Sequence, residues 1–271
     1  FFKQKTAYEI GTGDWSSAVC SSDLGRLSGM RRRARRYPEG EHEAQILDLA
    51  EDGRGIARID GKVVFIADAL PSERVVFRYV AAGKSFDEGQ TLRVASASPD
   101  RVTPGCPHFG VCGGCALQHL APEAQVRFKQ KQLVDALARI GKVAPEQLAE
   151  PITGPVWGYR RRARMGAKWV FNKHKVLVGF RERRTHFLAE LSRCPVLDPR
   201  VGEALEVLAE ALANTSIADK IPQIEMAAAE HVCLSIRVLQ APTEADLQVF
   251  RQLARDTGFE LRLQPGGLST I

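Results

Sequence analysis

The sequence predicts a multidomain protein of the α+β and α/β classes, with a small OB-like β-barrel, then a cysteine-rich loop, then a mixed α/β domain. Three observations carry that expectation. Short β-type segments broken by glycine run from His42 to about Ser98, three cysteines crowd into Cys106–Cys115, and helical and extended patterns alternate from Trp157 onward. A chain of 271 residues, 44% of them hydrophobic, can supply a core to each of two or three domains.

The formal charge of +6 favours an acidic partner, and its uneven distribution favours nucleic acid over a membrane surface. No apolar run approaches the roughly 20 residues needed to span a bilayer, and no signal segment is recognisable, so a cytoplasmic protein is expected. Six cysteines without a secretory signal then argue for reduced thiols used as ligands, against a disulfide framework.

Residues 1–29 show neither helical period nor strand alternation and resemble translated sequencing-adapter sequence. They are left out of the fold expectation, Cys20 with them, and Met30 becomes the expected start. Arg31, Arg32, Arg33, Arg35 and Arg36 make residues 30–41 a basic arm, either a solubilising tail or a contact for phosphates.

Five strands are expected between residues 42 and 99: Ala44–Leu49, Gly55–Ile59, Lys62–Ile66, Glu73–Val80 and Thr91–Ala97. Asp52-Gly53, Asp60-Gly61 and Gly83 are the turn signals, and Asp60-Gly61 suits a two-residue hairpin. Five short strands in so few residues suggest a closed OB-type barrel, a module that often binds single-stranded nucleic acid and as often serves structure or protein binding.

Cys106, Cys112 and Cys115 follow a Cys-x5-Cys-x2-Cys spacing, and Gly110, Gly113 and Gly114 let the loop curl so that the thiols face one point. Cys194 could close a four-sulfur site, and proline follows both Cys106 and Cys194. Thiolates select iron–sulfur clusters or zinc. Three ligands from one loop and one from afar lie closer to iron–sulfur practice than to paired zinc ligands, with unrelated buried thiols as the remaining alternative.

After this loop, Pro122 is expected to open a helix that Gly141 ends, with Val126, Leu133, Leu137 and Ile140 on its apolar stripe and Lys129 and Lys131 on a solvated face. The stretch Trp157–Phe171 reads as a strand. With a period of two, Ala163, Met165, Ala167, Trp169 and Phe171 face one way and Arg160, Arg162, Arg164 and Lys168 the other. Such a cationic row suits a phosphodiester backbone, the plain alternative being a solvent-exposed strand; Arg181, Arg183 and Arg184 extend the same surface.

Farther on, Asp198 is expected to cap a helix with Val201, Leu205, Leu208 and Leu212 on one stripe, ending near Asn214. His231–Leu239 reads as a strand in which Cys233 is a packed free thiol. Thr243 with Asp246 starts a helix ending at Gly258, and Phe259–Leu263 is a last strand.

Two resemblances follow from quoted motifs. Asp52-Gly53-Arg54-Gly55-Ile56-Ala57-Arg58 with Val64-Phe65-Ile66 is similar to a TRAM domain, an RNA-binding barrel. Arg101–His119, then Pro155–Arg164, then Cys194-Pro195 resemble, in order, the bacterial 23S rRNA (uracil-C5)-methyltransferases of the RlmD (RumA) type. That resemblance implies a TRAM barrel over residues 42–99 and a central RNA-binding domain over residues 100–271. It further implies a [4Fe–4S] cluster on Cys106, Cys112, Cys115 and Cys194, and S-adenosylmethionine as methyl donor in a C-terminal domain. The implied partner is 23S ribosomal RNA, with no membrane and no DNA, on a monomer.

The family's glycine motif, nucleophilic cysteine and general-base glutamate would lie beyond Ile271, so the chain is expected to be the recognition half of such an enzyme, with no catalytic residue and no S-adenosylmethionine-binding residue of its own. Arg160, Arg162, Arg164 and Lys168 are its expected RNA contacts. A radical S-adenosylmethionine enzyme would need Cys-x3-Cys-x2-Cys, which is not the spacing present. A non-catalytic zinc or iron–sulfur RNA-binding module is the alternative left.

Overall fold

Alternating burial along the strands divides residues 37–266, those described in the computed structural model, into two sheets with separate cores. The first 36 residues, with the five arginines of the basic arm and Cys20, lie outside the described residues, as do residues 267–271.

The first sheet holds β1 (His42–Gln45), β2 (Asp48–Leu49), β3 (Gly55–Ile59), β4 (Lys62–Ala67), β5 (Arg74–Ala82) and β6 (Phe86–Ser96), in the order β1-β5-β6-β4-β3-β2. Asp60-Gly61 makes the expected hairpin turn, both residues having positive φ (49° and 79°) as a primed turn requires. Ala57, Val64, Ile66, Val75 and Phe77 fill its core.

The expected five-stranded closed barrel is not what the strand order shows: six strands line up with β1 and β2 at opposite edges. The physical reason lies at Ile46 and Leu47, where the single expected strand divides. Ile46 donates its N–H to Glu73 O (2.8 Å), beside β5, and Leu47 donates to Ile56 O (2.8 Å), in β3, so one stretch of chain serves both edges in turn.

Helix α1 (Pro122–Ala136) follows the cysteine loop and runs on through a wider π-type turn at Leu137–Gly141. It packs through Ala124 and Phe128 against Leu49, Leu70 and Leu120. The expected stripe is therefore wrong at its far end: Leu133 is 58% and Ile140 82% exposed. The apolar packing involves only the first turns, and an apolar stripe does not say what covers it. Lys129 and Lys131 are exposed as expected, and Lys131 also reaches Asp48 at 3.1 Å.

The second sheet combines β7 (Arg162–Val170), β8 (Lys175–Gly179), β9 (Gln223–Ala228), β10 (Val232–Val238) and β11 (Glu260–Pro265), ordered β11-β10-β9-β7-β8. Three helices accompany it: α2 (Pro199–Gly202), α3 (Leu205–Ala213) and α4 (Glu244–Thr257). Val201, Leu205, Leu208 and Leu212 are all buried as expected, although Glu203 and Ala204 break the expected helix in two. They join Met165, Ile224, Leu234 and Ile236 in one core, where each large apolar side chain contributes about 1.5–3 kcal/mol. Strand β9, not anticipated from the sequence, sits between β7 and β10; Ile224, Met226 and Ala228 alternate inward within a run of alanines.

Thr243 caps α4 as expected, and the buried Asp246 does more than complete the capping box. Its carboxylate accepts from Thr243 N and Oγ1 (2.8 Å each) and from Ser216 N (2.6 Å) and Oγ (2.8 Å), tying α4 to the end of α3. Burial pushes its pKa up, but these hydrogen bonds outweigh it and bring the group down to about 2. Its contribution is therefore complete above the ordinary value of 3.8 and lost as pH falls through about 2. Asp246→Ala is expected to cost about 2–3 kcal/mol at pH 7, read by denaturant titration, with the difference from the parent shrinking between pH 4 and pH 2. A constant difference across that range would show that the charge is not what stabilises.

Candidate functional site: a cavity lined by four thiols

The cysteine loop is held from several sides. Arg101 is bound by the fully buried Glu73 of the first sheet, Nε to Oε1 at 2.5 Å and Nη2 to Oε2 at 2.8 Å, and Glu73 also accepts from Leu70 N and Ser98 N. Arg183 donates to Asp68 Oδ1 (2.5 Å) and to Cys115 O (2.9 Å) and lies 4.6 Å over the Phe109 ring. Arg183 was expected to extend an RNA surface; it is instead an internal strut joining the first sheet to the loop. Its pairing with a residue 115 positions away is not visible in sequence.

Cys106, Cys112, Cys115 and Cys194 line a single small cavity of about 20 Å³, together with His108, Phe109, Phe180, Leu191 and Pro195. Cys194 comes from the segment before α2, where backbone meets backbone: Cys194 N donates to Gly202 O at 2.9 Å, and a Cβ on Gly202 would stand 2.4 Å from Cys194 O. His108 fastens the same segment to the loop, its Nε2 lying 3.1 Å from Ser192 Oγ. On the loop side Gly113 N donates to Arg181 O at 2.8 Å.

No carboxylate lines the cavity; the donors it offers are the four sulfurs and the His108 imidazole, whose Nε2 is already engaged with Ser192. Burial pushes the Cys194 thiol up to about 11, with Cys115 and Cys112 adding to the rise. Cys112 is raised for the same reasons, burial first, against a hydrogen bond from Gly114 N–H. As they stand, no group of three or more His, Cys, Asp or Glu among the described residues is drawn together closely enough to hold a metal ion. The fit to a metal centre thus lies in the donor set and its convergence on one cavity, and the cavity itself has room for little more than a water.

The expected cationic row is divided. Arg162, Arg164 and Lys168 are exposed on β7, but Leu188 covers Gly166 between them, where a Cβ would meet it at 2.7 Å. Arg160 does not join the row: it is half-buried, bridges to Leu197, and lines the thiol cavity with its guanidinium 5.6 Å from the Phe180 ring centre. Arg161 faces Asp198, and Arg164 pairs with Glu225 at 2.8 Å.

A second cleft, of about 520 Å³, lies between the Asp52-Gly53-Arg54 turn and the loop residues Gly113, Cys115 and Ala116, with Arg184 on its edge. His119, buried beside Phe109, has neither ring nitrogen hydrogen-bonded, and burial lowers its pKa to about 4, so it is neutral at pH 7. Cys233, expected to be packed in an apolar strand, is half-buried on the face it shares with Ser235 and Arg237, because its immediate neighbours Val232 and Leu234 take the inward positions. Among the described residues no helix is long and apolar enough to cross a membrane.

No family model matches the chain. It is 47% identical over 243 residues to the 23S rRNA (uracil(1939)-C(5))-methyltransferases RlmD of Alkalilimnicola ehrlichii and of Alcanivorax borkumensis, covering 89% of this chain. The protein of the same name from Methylococcus capsulatus is 40% identical over 244 residues. The chain spans about half, 55%, of the length of these relatives. Among solved structures it resembles in fold the tRNA (uracil-54, C5)-methyltransferase of Pyrococcus abyssi, determined with S-adenosyl-L-homocysteine. That likeness has a TM-score of 0.53 at 20% identity, over 77% of this chain and 48% of that one.

Proposed function

We propose that this chain is the RNA-recognition part of an S-adenosylmethionine-dependent 23S rRNA (uracil-C5)-methyltransferase. The observation that carries it is the 40–47% identity to RlmD proteins over about nine-tenths of the chain. Residues 42–99 act as a TRAM-type, OB-like RNA-binding module; that one stretch of chain serves both edges of the first sheet supports such a reading. Residues 100–271 form the central domain.

Cys106, Cys112, Cys115 and Cys194 would hold a [4Fe–4S] cluster, which when bound supplies a fourfold covalent clip. Their convergence on one cavity supports this assignment. The chain's own residues brace the clip: Arg183 and Gly113 fix the loop, while His108 and Gly202 fix the segment carrying Cys194. RNA is held by cations, Arg162 and Arg164 foremost, which position a backbone without reading bases. Presentation of the target uridine then requires it to leave its stack. No catalytic nucleophile or base is assigned among the described residues.

Anaerobically purified protein is expected to be brown and to contain iron and sulfide, and colourless protein containing zinc would overturn the cluster. Arg162→Glu with Arg164→Glu should weaken binding of a 23S rRNA fragment and lower its salt dependence by about two phosphate contacts, each worth a slope of about 0.9. Unchanged binding and slope would remove β7 from the interface.

A further inference from the structure

The helices of the second domain share a core with the inward side chains of its sheet, and the opposite face, covered by Leu188 at Gly166, is patterned with polar and charged side chains across its other positions. Strand register aligns Arg164, Glu225, Ser235 and Arg262 in a row across β7, β9, β10 and β11. The neighbouring row is Gly166, Gln223, Arg237 and Gln264. Burial alternates strictly along β9 and β10, which puts these side chains on the uncovered face.

At about 4.8 Å between strands, the strand carrying Arg237 runs about 10 Å and the strand carrying Arg262 about 14 Å from β7. The four guanidiniums therefore form two cationic rails, Arg162 with Arg164 and Arg237 with Arg262, flanking a valley of Gln223, Glu225 and Ser235. Among the described residues no aromatic side chain lies on this face of the four strands. A surface without rings cannot stack unpaired bases, which is how single strands are usually gripped.

We propose that this face takes the wide, shallow minor groove of an A-form RNA duplex, a paired stem beside the target loop. It rests on the reading that the chain binds RNA. Each rail contacts one phosphate backbone, and the valley meets the 2′-hydroxyls that line that groove, Glu225 accepting from them. Two exposed carboxylates pair with the rails, Glu225 with Arg164 at 2.8 Å and Glu260 with Arg262 at 2.7 Å. Such exposed pairs are weak and yield to phosphate. Arg162 and Arg237 have no ion-pair partner among the described residues.

The test titrates the whole chain with a short RNA stem, a DNA duplex of the same sequence, and an unpaired RNA oligonucleotide, each at several salt concentrations. The parent should prefer the RNA stem. Arg237→Glu with Arg262→Glu should lower affinity for the stem by about tenfold or more and reduce the salt slope by about two contacts, leaving unpaired RNA within about twofold. Glu225→Ala should narrow the preference for RNA over DNA duplex. If the Arg237/Arg262 variant binds the stem like the parent while the Arg162/Arg164 variant does not, the second rail is refuted and the broader reading survives; equal loss on unpaired RNA refutes the duplex. If neither variant loses affinity, both fail. Arg237→Gln with Arg262→Gln, with an unchanged melting temperature, guards against an effect of misfolding.

Discussion

Cys194→Ser is expected to lower the iron and sulfide content of anaerobically prepared protein by at least about tenfold, since changes to the partners behind a metal ligand already cost about 10- to 100-fold in affinity. Cys194 is the one thiol of the four that comes from outside the loop, and it is buried. Losing it leaves three ligands on one side of the cavity and unties the loop from the segment before α2. Metal binding is folding free energy where the site exists only in the folded chain, so the melting temperature should fall as well. The control is metal-free parent protein: variant and parent should then melt close together, apart from the roughly 1–3 kcal/mol cost of a hydroxyl in an apolar site. Retained iron and sulfide in the variant would mean that Cys194 is not a ligand.

The second large effect is expected at Glu73, which has no solvent exposure and whose carboxylate accepts four hydrogen bonds. Glu73→Ala removes the partner of Arg101, whose side chain is only 22% exposed, and should cost about 3–5 kcal/mol. For a domain of this size that is a drop of roughly 6–20 °C in melting temperature. Burial pushes this carboxyl up in pKa, but the hydrogen bonds from Arg101, Leu70 and Ser98 outweigh it and hold it below its ordinary 4.5. Its stabilisation is thus present above pH 4.5 and lost as the medium becomes more acid. Arg101→Ala in the Glu73→Ala background should add little, because the pair acts as a unit. Strictly additive losses would show that the two are not coupled.

The strands and helices with clean periods were legible in the chain. Lys62–Ala67 is an apolar run that follows the Asp60-Gly61 turn; Thr243 and Gly258 bracket α4 with a side-chain cap and a left-handed residue at φ 71°. The shared cavity of the four cysteines was expected too: for Cys106, Cys112 and Cys115 the spacing and the intervening glycines are local features, while Cys194 was tied to them by its following proline and the family resemblance. Strand β9 was missed because alanines blur its alternation, and α1 was misjudged because its apolar positions outnumber the neighbours able to cover them.

Sequence by itself determined the two-part division of the strands, the crowding of Cys106, Cys112 and Cys115 in one loop and the basic character of β7, since spacing, period and charge are properties of neighbouring residues. Tertiary structure alone decided which arginines are free. Arg160, Arg183 and Arg162 carry the same guanidinium, yet the first lines the thiol cavity, the second is held between Asp68 and Cys115 O, and the third faces solvent. Which of these fates a cation meets depends on carboxylates, carbonyls and rings brought from distant parts of the chain, and no local pattern encodes that pairing.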